Sequence, residues 1–270
     1  MAGFSADWLA LREPADHAAR SLDLARALLD ALPGEGRILD LAGGTGSNLR
    51  YLTKVGAGRI RFADCLLVDH DRALLACAPS GVETRCIDLS SLAECAIVEG
   101  RTLVTASALL DLVSEAWLRD LAGRCAAAGA AVLFALTYDG RIVCSPEDPD
   151  DATIVELVNE HQLTDKGFGP ALGPGATDCA ARCFEALGYQ VRRAPSDWTL
   201  NPALAELQRE LIEGWAQAAT EMSPERARSI DAWRDRRLAH VAAGWSEILV
   251  GHEDFSGTPD PQILKSLDFK

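Results

Sequence analysis

Three acids stand at the ends of short apolar runs in the first third of the chain. Asp40 follows Ile38-Leu39, Asp69 follows Leu66-Leu67-Val68, and Asp88 follows Cys86-Ile87. An ionised carboxylate only accepts hydrogen bonds, so it suits vicinal hydroxyls, an amine or a backbone N–H. Asp40 also opens Asp40-Leu41-Ala42-Gly43-Gly44-Thr45-Gly46-Ser47-Asn48. Glycines let the backbone approach a ligand closely and take angles that a Cβ forbids. A phosphate-cradling loop needs a Lys after its last glycine, but Ser47-Asn48 stands there. A dinucleotide fingerprint needs G-x-G-x-x-G, and Leu49 occupies its third glycine position.

These residues need a strand–loop–helix frame. The pattern predicts strand Ile38–Leu41, a helix near Asn48–Val55, strand Leu66–Val68 and a helix near Arg72–Ala78. Next come strand Thr84–Ile87, a short helix near Ser91–Ala96, strand Thr102–Thr105, helix Glu115–Ala128 and strand Ala130–Leu136. Unbroken apolar strands alternating with helices predict a parallel sheet covered on both faces. The loop at Asp40 then lies at the carboxyl edge, where open α/β sheets bind ligands.

Upstream, Leu22, Leu24, Ala25, Leu28, Leu29 and Leu32 recur at helical spacing until Pro33-Gly34. Downstream, Asp139-Gly140 reads as a turn before strand-like Arg141–Cys144. Helix Ala152–His161, a Gly/Pro-rich stretch at 163–175, helix Thr177–Leu187 and strand Tyr189–Arg193 follow. Helices Pro202–Ala219 and Pro224–Ala243 and strand Glu247–Val250 complete the reading. The expected organisation is one domain over 1–270. It has an N-terminal helical cap (1–34), a ligand-binding core (35–138), an insertion or lid (139–175) and a helical insertion (199–244).

At 270 residues the chain can bury a sizeable core without staples. Its net charge of −14 repels phosphate backbones and anionic membranes. No apolar run reaches the ~18 residues of a membrane span, and the N-terminus lacks a signal-peptide pattern. Nucleic acid and membrane are therefore not expected partners, and the cytoplasm is the expected compartment. Eight cysteines without a C-x-x-C read as buried thiols, not as a disulfide or metal framework.

The stretch from Asp40 to Gly46 resembles the first motif of class I S-adenosylmethionine (SAM)-dependent methyltransferases, D-x-G-x-G-T-G, with Ala42 in place of the first glycine. The likeness covers about residues 35–195. It implies a Rossmann-like α/β fold, with a mostly parallel sheet of seven strands and helices on both faces. It implies SAM as cofactor, with Asp69 on the ribose hydroxyls, His70 against the adenine and Asp88 with Leu89 at the adenine amine. Asp40, Ala42, Gly43, Gly44, Gly46 and Asn48 line the loop, and Ser107 adjoins the methionine part. Taken alone, Asp88 also reads as a helix cap, Asp69 as a strand-end cap and His70 as a solvated side chain. The Asn/Asp-Pro-Pro-aromatic motif of the DNA and protein-amide branches is absent, which points to a small-molecule substrate.

Asp111, just past the fourth strand, is the expected base or orienting carboxylate, with His161 next; Asp111 as a plain helix cap is the alternative. Arg12, Asp16 and Arg20 share a face if their stretch is helical. Arg12 can then clamp a substrate carboxylate, although an exposed ion-pair row fits the spacing as well. Tyr138, Lys166 and Phe168 complete the expected substrate contacts, and glycine hinges around Phe168 suggest an active-site lid. Trp215 and Trp233 read as core or as a homodimer surface. The expected activity is methyl transfer to O or N of a small polar metabolite. Its rivals are an NAD-dependent oxidoreductase and a non-catalytic SAM-binding partner subunit.

Overall fold

Short, mostly apolar segments place strands β1 (Ile38–Leu41), β2 (Cys65–Asp69) and β4 (Leu103–Ser107) in the interior, buried almost throughout. The computed structural model describes residues 5–32, 36–90, 92 and 96–260. With β3 (Glu83–Cys86), β5 (Ala131–Ser145), β6 (Tyr189–Pro195), β7 (Trp198–Leu200) and β8 (Glu247–Pro259), the strands form one sheet in the order β3-β2-β1-β4-β5-β8-β6, with β7 also on β8. Strands β1 to β5 are parallel, and β8 runs antiparallel to β5, β6 and β7.

Side-chain alternation along the strands divides the core between two faces. Leu39, Leu66, Val104 and Val132 pack with helices α5 (Glu115–Ala128) and α7 (Ala176–Glu185). Ile38, Leu67, Leu103 and Leu133 pack with α2 (Leu22–Ala31) and α3 (Ser47–Val55). A further cluster joins the outer halves of β5 and β8 to α6 (Asp151–Gln162), α8 (Ala205–Met222) and α9 (Ala227–Ala242). Trp215 and Trp233 belong to it, and both are buried in this core. Cys179 and Cys183 are buried on α7.

Several boundaries differ from expectation. Asp139-Gly140 is not a chain reversal but an irregularity inside the continuous β5, whose pairing with β8 shifts between Phe134/Thr137 and again between Tyr138/Ile142. Strand β8 continues from Val250 to Pro259, and β7 is additional. Helix α4 (Arg72–Leu75) is a single turn and stops before Ala78. Pro33-Gly34 and most of the Ser91–Ala96 segment lie outside the described residues.

The first of the two shifts in β5, between Phe134 and Thr137, is held by a buried carboxylate. Asp254 on β8 accepts from the Leu136 N–H (2.9 Å), where φ is +54°, and from the Ser21 N–H (2.9 Å), the N-cap of α2. Asp254→Ala should leave two N–H groups unpaired at about 1–3 kcal/mol each. Urea unfolding should show a fall of that combined size, and an unchanged midpoint would refute the assignment.

Candidate functional site

The carboxyl ends of β2, β1 and β4 open into a cleft of about 180 Å³. Sheet order sets its floor. Asp69, His70 and Asp71 lie beyond β2, Ala42, Gly43 and Gly44 beyond β1, and Ser107, Ala108 and Leu109 at β4. Helix α1 (Ala6–Ala19) contributes Leu9, Arg12 and Asp16 to the wall, and the segment after α6 contributes Lys166 and Phe168.

Backbone geometry explains the glycines. The Gly43 N–H donates to Val68 O (3.1 Å), drawing the loop onto β2. A Cβ on Gly43 would stand 2.5 Å from Leu67 Cδ1 and 2.6 Å from Asp40 Oδ2. Gly44 takes φ +53°, and its N–H donates to Asp69 Oδ2 (2.9 Å). Ala42 takes φ +49°, the left-handed region that glycine occupies freely. The Ala in place of the expected glycine therefore carries strain. Ala108 at β4 (φ +52°) and Leu136 in β5 (φ +54°) share it. Ala42 and Ala108 stand at the ends of adjacent strands and line the cleft; strained backbone clusters at functional sites.

A buried polar chain supports this loop. Asn48 Nδ2 donates to Asp40 Oδ1 (2.6 Å) and to Thr105 Oγ1 (3.1 Å). The Arg20 guanidinium donates to Asn48 Oδ1 (2.6 Å) and lies 4.0 Å over the Tyr51 ring. Burial pushes the Asp40 carboxyl up to about 7, against the Asn48 hydrogen bond and the Arg20 charge. Asp40 Oδ2 and the Arg20 Nε and Nη2 are buried without a protein partner.

Of the expected site residues, Ala42, Gly43, Gly44, Asn48, Asp69, His70, Ser107, Arg12, Asp16, Lys166 and Phe168 converge on the cleft. Asp40 sits beneath it, fully buried. Gly46 (φ +82°) turns the loop into α3 against Pro79 instead of lining the cleft. Asp88 is exposed outside the lining, where its carboxylate accepts from the Ser90 N–H (2.9 Å) and is held below the usual range by that bond. Leu89 is buried, and its carbonyl accepts from Trp117 Nε1 (2.6 Å). Tyr138 donates its hydroxyl to Asn159 Oδ1 (2.8 Å), away from the lining.

Asp111 is buried and does not line the cleft, although its neighbours Leu109 and Leu112 do. Desolvation pushes its carboxyl up to about 6, and its Oδ1 has no partner. His161 also stands outside the lining, within reach of Glu221 Oε2 (3.1 Å) and Lys166 Nζ (3.2 Å). Arg12 is committed to Asp16 in a two-pronged pair (2.9 and 3.1 Å) and lies 4.9 Å from the centre of the Trp198 ring. Trp198 Nε1 donates to the same carboxylate (3.1 Å). Behind this group, burial and the Arg12 charge push His252 down to about 4. The roles of Arg20, Thr105 and Trp198 were not expected. Only the four-residue spacing from Asp16 to Arg20 hinted at the first.

The fold is shared with solved structures of low sequence identity. A protein of Bacillus halodurans C-125, provisionally described as a methyltransferase, matches at 13% identity over 88% of this chain and 99% of that one, with a TM-score of 0.50. The YcgJ protein of Bacillus subtilis matches at 14% identity, over 90% and 99%, with a TM-score of 0.49. Cyclopropane synthase MmaA2 of Mycobacterium tuberculosis matches at 11% identity, over 88% and 82%, with a TM-score of 0.46. No protein-family model matches the chain, and no curated protein sequence does. The match to the Bacillus halodurans protein supports a Rossmann-like methyltransferase fold.

Asp111 gives a pH-dependent prediction. Its folded pKa of about 6 lies above the unfolded value of 3.8. Its contribution to stability is therefore fully present below pH 3.8 and lost as pH rises through 6. Asp111→Asn does not titrate, so it should gain on wild type by about 3 kcal/mol between pH 3 and pH 8. Denaturant midpoints at the two pH values check this; a gap that does not widen would contradict it. Gly43→Ala, which meets Asp40 and Leu67, should destabilise by about 1–3 kcal/mol, whereas Ala42→Gly should not destabilise. Equal losses for both variants would refute the reading of the loop.

Proposed function

We propose that this chain is a SAM-dependent methyltransferase that methylates O or N of a small polar molecule. The observation that carries this reading is the Asp69 carboxylate on the cleft wall. One of its oxygens is fixed by the Gly44 N–H and the other by the Asp71 N–H (both 2.9 Å). Oδ2 keeps a lone pair, and the second site on Oδ1 faces only the exposed His70 Nδ1 (3.3 Å), which yields it to a ligand; the pair suits the two vicinal hydroxyls of a ribose. Gly43, Gly44, Ser107 and Ala108 line the same cleft beside this carboxylate, so the residues present fit SAM.

Bound SAM supplies a methyl group on a sulfonium, which is already a good leaving group. The protein's share is therefore alignment and exclusion of water. Asp69 fixes the nucleoside, and the left-handed turns at Ala42 and Ala108 carry the backbone around the methionine part. Leu9, Leu109, Leu112 and Phe168 are the apolar part of the wall. Residues 163–175 serve as the cover over the acceptor. This cover is held by the Leu172 N–H to Val113 O bond (2.8 Å) and by an edge-on contact of Phe168 with Trp117 (5.5 Å). Asp111 and His161, both outside the lining, act on charge and on the position of Lys166 respectively, without touching the reacting atoms.

Calorimetry with SAM, S-adenosylhomocysteine (SAH) and NADH tests the reading. SAM and SAH should bind and NADH should not. Asp69→Ala should weaken SAH by about 1.5–3 kcal/mol for each charge-assisted bond lost. Binding of NADH alone would favour the oxidoreductase, and SAH binding unaffected by Asp69→Ala would remove the ribose assignment.

A further inference from the structure

Lys166 is held on the cleft wall without a carboxylate. Its ammonium donates to Thr164 Oγ1 (2.9 Å) and contacts His161 Nδ1 (3.2 Å). An ammonium has no acceptor, so His161 Nδ1 must be unprotonated and its Nε2–H must point to Glu221 (3.1 Å). The negative charge of Glu221 therefore stands one residue behind Lys166. Arg12, also on the lining, is instead paired with Asp16. The segment carrying Lys166 is built in place. Asp165 Oδ1 accepts from the N–H groups of Gly167 (2.7 Å) and Gly169 (3.0 Å). Two of the three ammonium donors are used, and the third remains for a ligand. Beside it the cleft wall carries Leu109, Leu112 and Phe168. A cation on such a wall attracts an anion more strongly than one in water does.

Resting on the methyltransferase reading above, we infer that Lys166 anchors a carboxylate of the methyl acceptor, which is a small acid with an apolar body. The apolar body lodges against Leu109, Leu112 and Phe168 at the β4 side of the cleft, away from Asp69. Arg12, the expected clamp, is already engaged by Asp16 and plays no direct part. The methionine part of the cofactor also carries a carboxylate, so the test separates the two sources.

The protein is saturated with SAH and titrated by ligand-observed NMR with benzoate, phenylacetate and hexanoate, each beside its primary amide. At least one acid should bind about tenfold or more better than its amide, the scale of a charge-assisted hydrogen bond. Lys166→Met should erase that preference, and Lys166→Arg should keep most of it. SAH affinity, measured separately by calorimetry, should change by less than about twofold in Lys166→Met, which also shows that the variant is folded. No acid preferred over its amide, or a preference that survives Lys166→Met, overturns the proposal. A loss of SAH affinity of about tenfold in Lys166→Met assigns Lys166 to the cofactor's own carboxylate and overturns it too. If SAH fails to bind wild type, the methyltransferase reading itself falls.

Discussion

The carboxyl edge of the sheet depends on one buried carboxylate, Asp40, and on how it is satisfied. A carboxylate in the interior is expensive unless it is hydrogen-bonded or protonated. Here a single side chain, Asn48, reaches back from the first turn of α3 to Asp40 and across to Thr105 on β4. Asn48 is itself oriented by Arg20, which enters between α1 and α2. The strand that carries the loop, the helix that follows it, the neighbouring strand and the N-terminal helices are therefore tied through one amide. The same constraint forbids a Cβ at Gly43, because that atom would meet Asp40 Oδ2. Loop shape and network thus fix each other.

The roof is secured by different means. Helix α1 crosses the loop with Leu9 in the space that a Gly44 side chain would need. Glu13 pairs with Arg50, which also donates to Thr45 O (2.7 Å), and His17 Nε2 lies 3.1 Å from both Ser47 O and Ser47 Oγ. These partly exposed contacts are worth less than the buried chain below. Floor and roof therefore differ in strength. Buried contacts fix the strand ends, while the weaker contacts hold the roof.

Legibility in the sequence followed burial. Strands β1, β2 and β4 are apolar on both faces, so their runs could be read, and so could the acid that ends β2. Helix α5 was read to the residue because Ser114 caps its start and Gly129 ends it. The outer sheet was harder to read. Strand β8 buries His252, Asp254 and Ser256, so it lacks the apolar run that marks a strand. Asp139-Gly140 has turn chemistry but serves an irregular stretch that β8 holds in pairing. Within the site, the glycine loop and Asp69 follow from local pattern. The distinction between Asp111 off the lining and Lys166 on it depends on tertiary packing, which leaves no local mark. Asp88 shows the converse: a strand-end acid in the expected place that spends its hydrogen bonds on its own turn.

A crystal structure of the protein grown with SAH should place the ribose hydroxyls within hydrogen-bond distance of both Asp69 oxygens and the sulfur beside Ala108, at the β4 end of the cleft. An empty cleft at saturating SAH, or a nucleoside bound away from Asp69, would contradict this assignment.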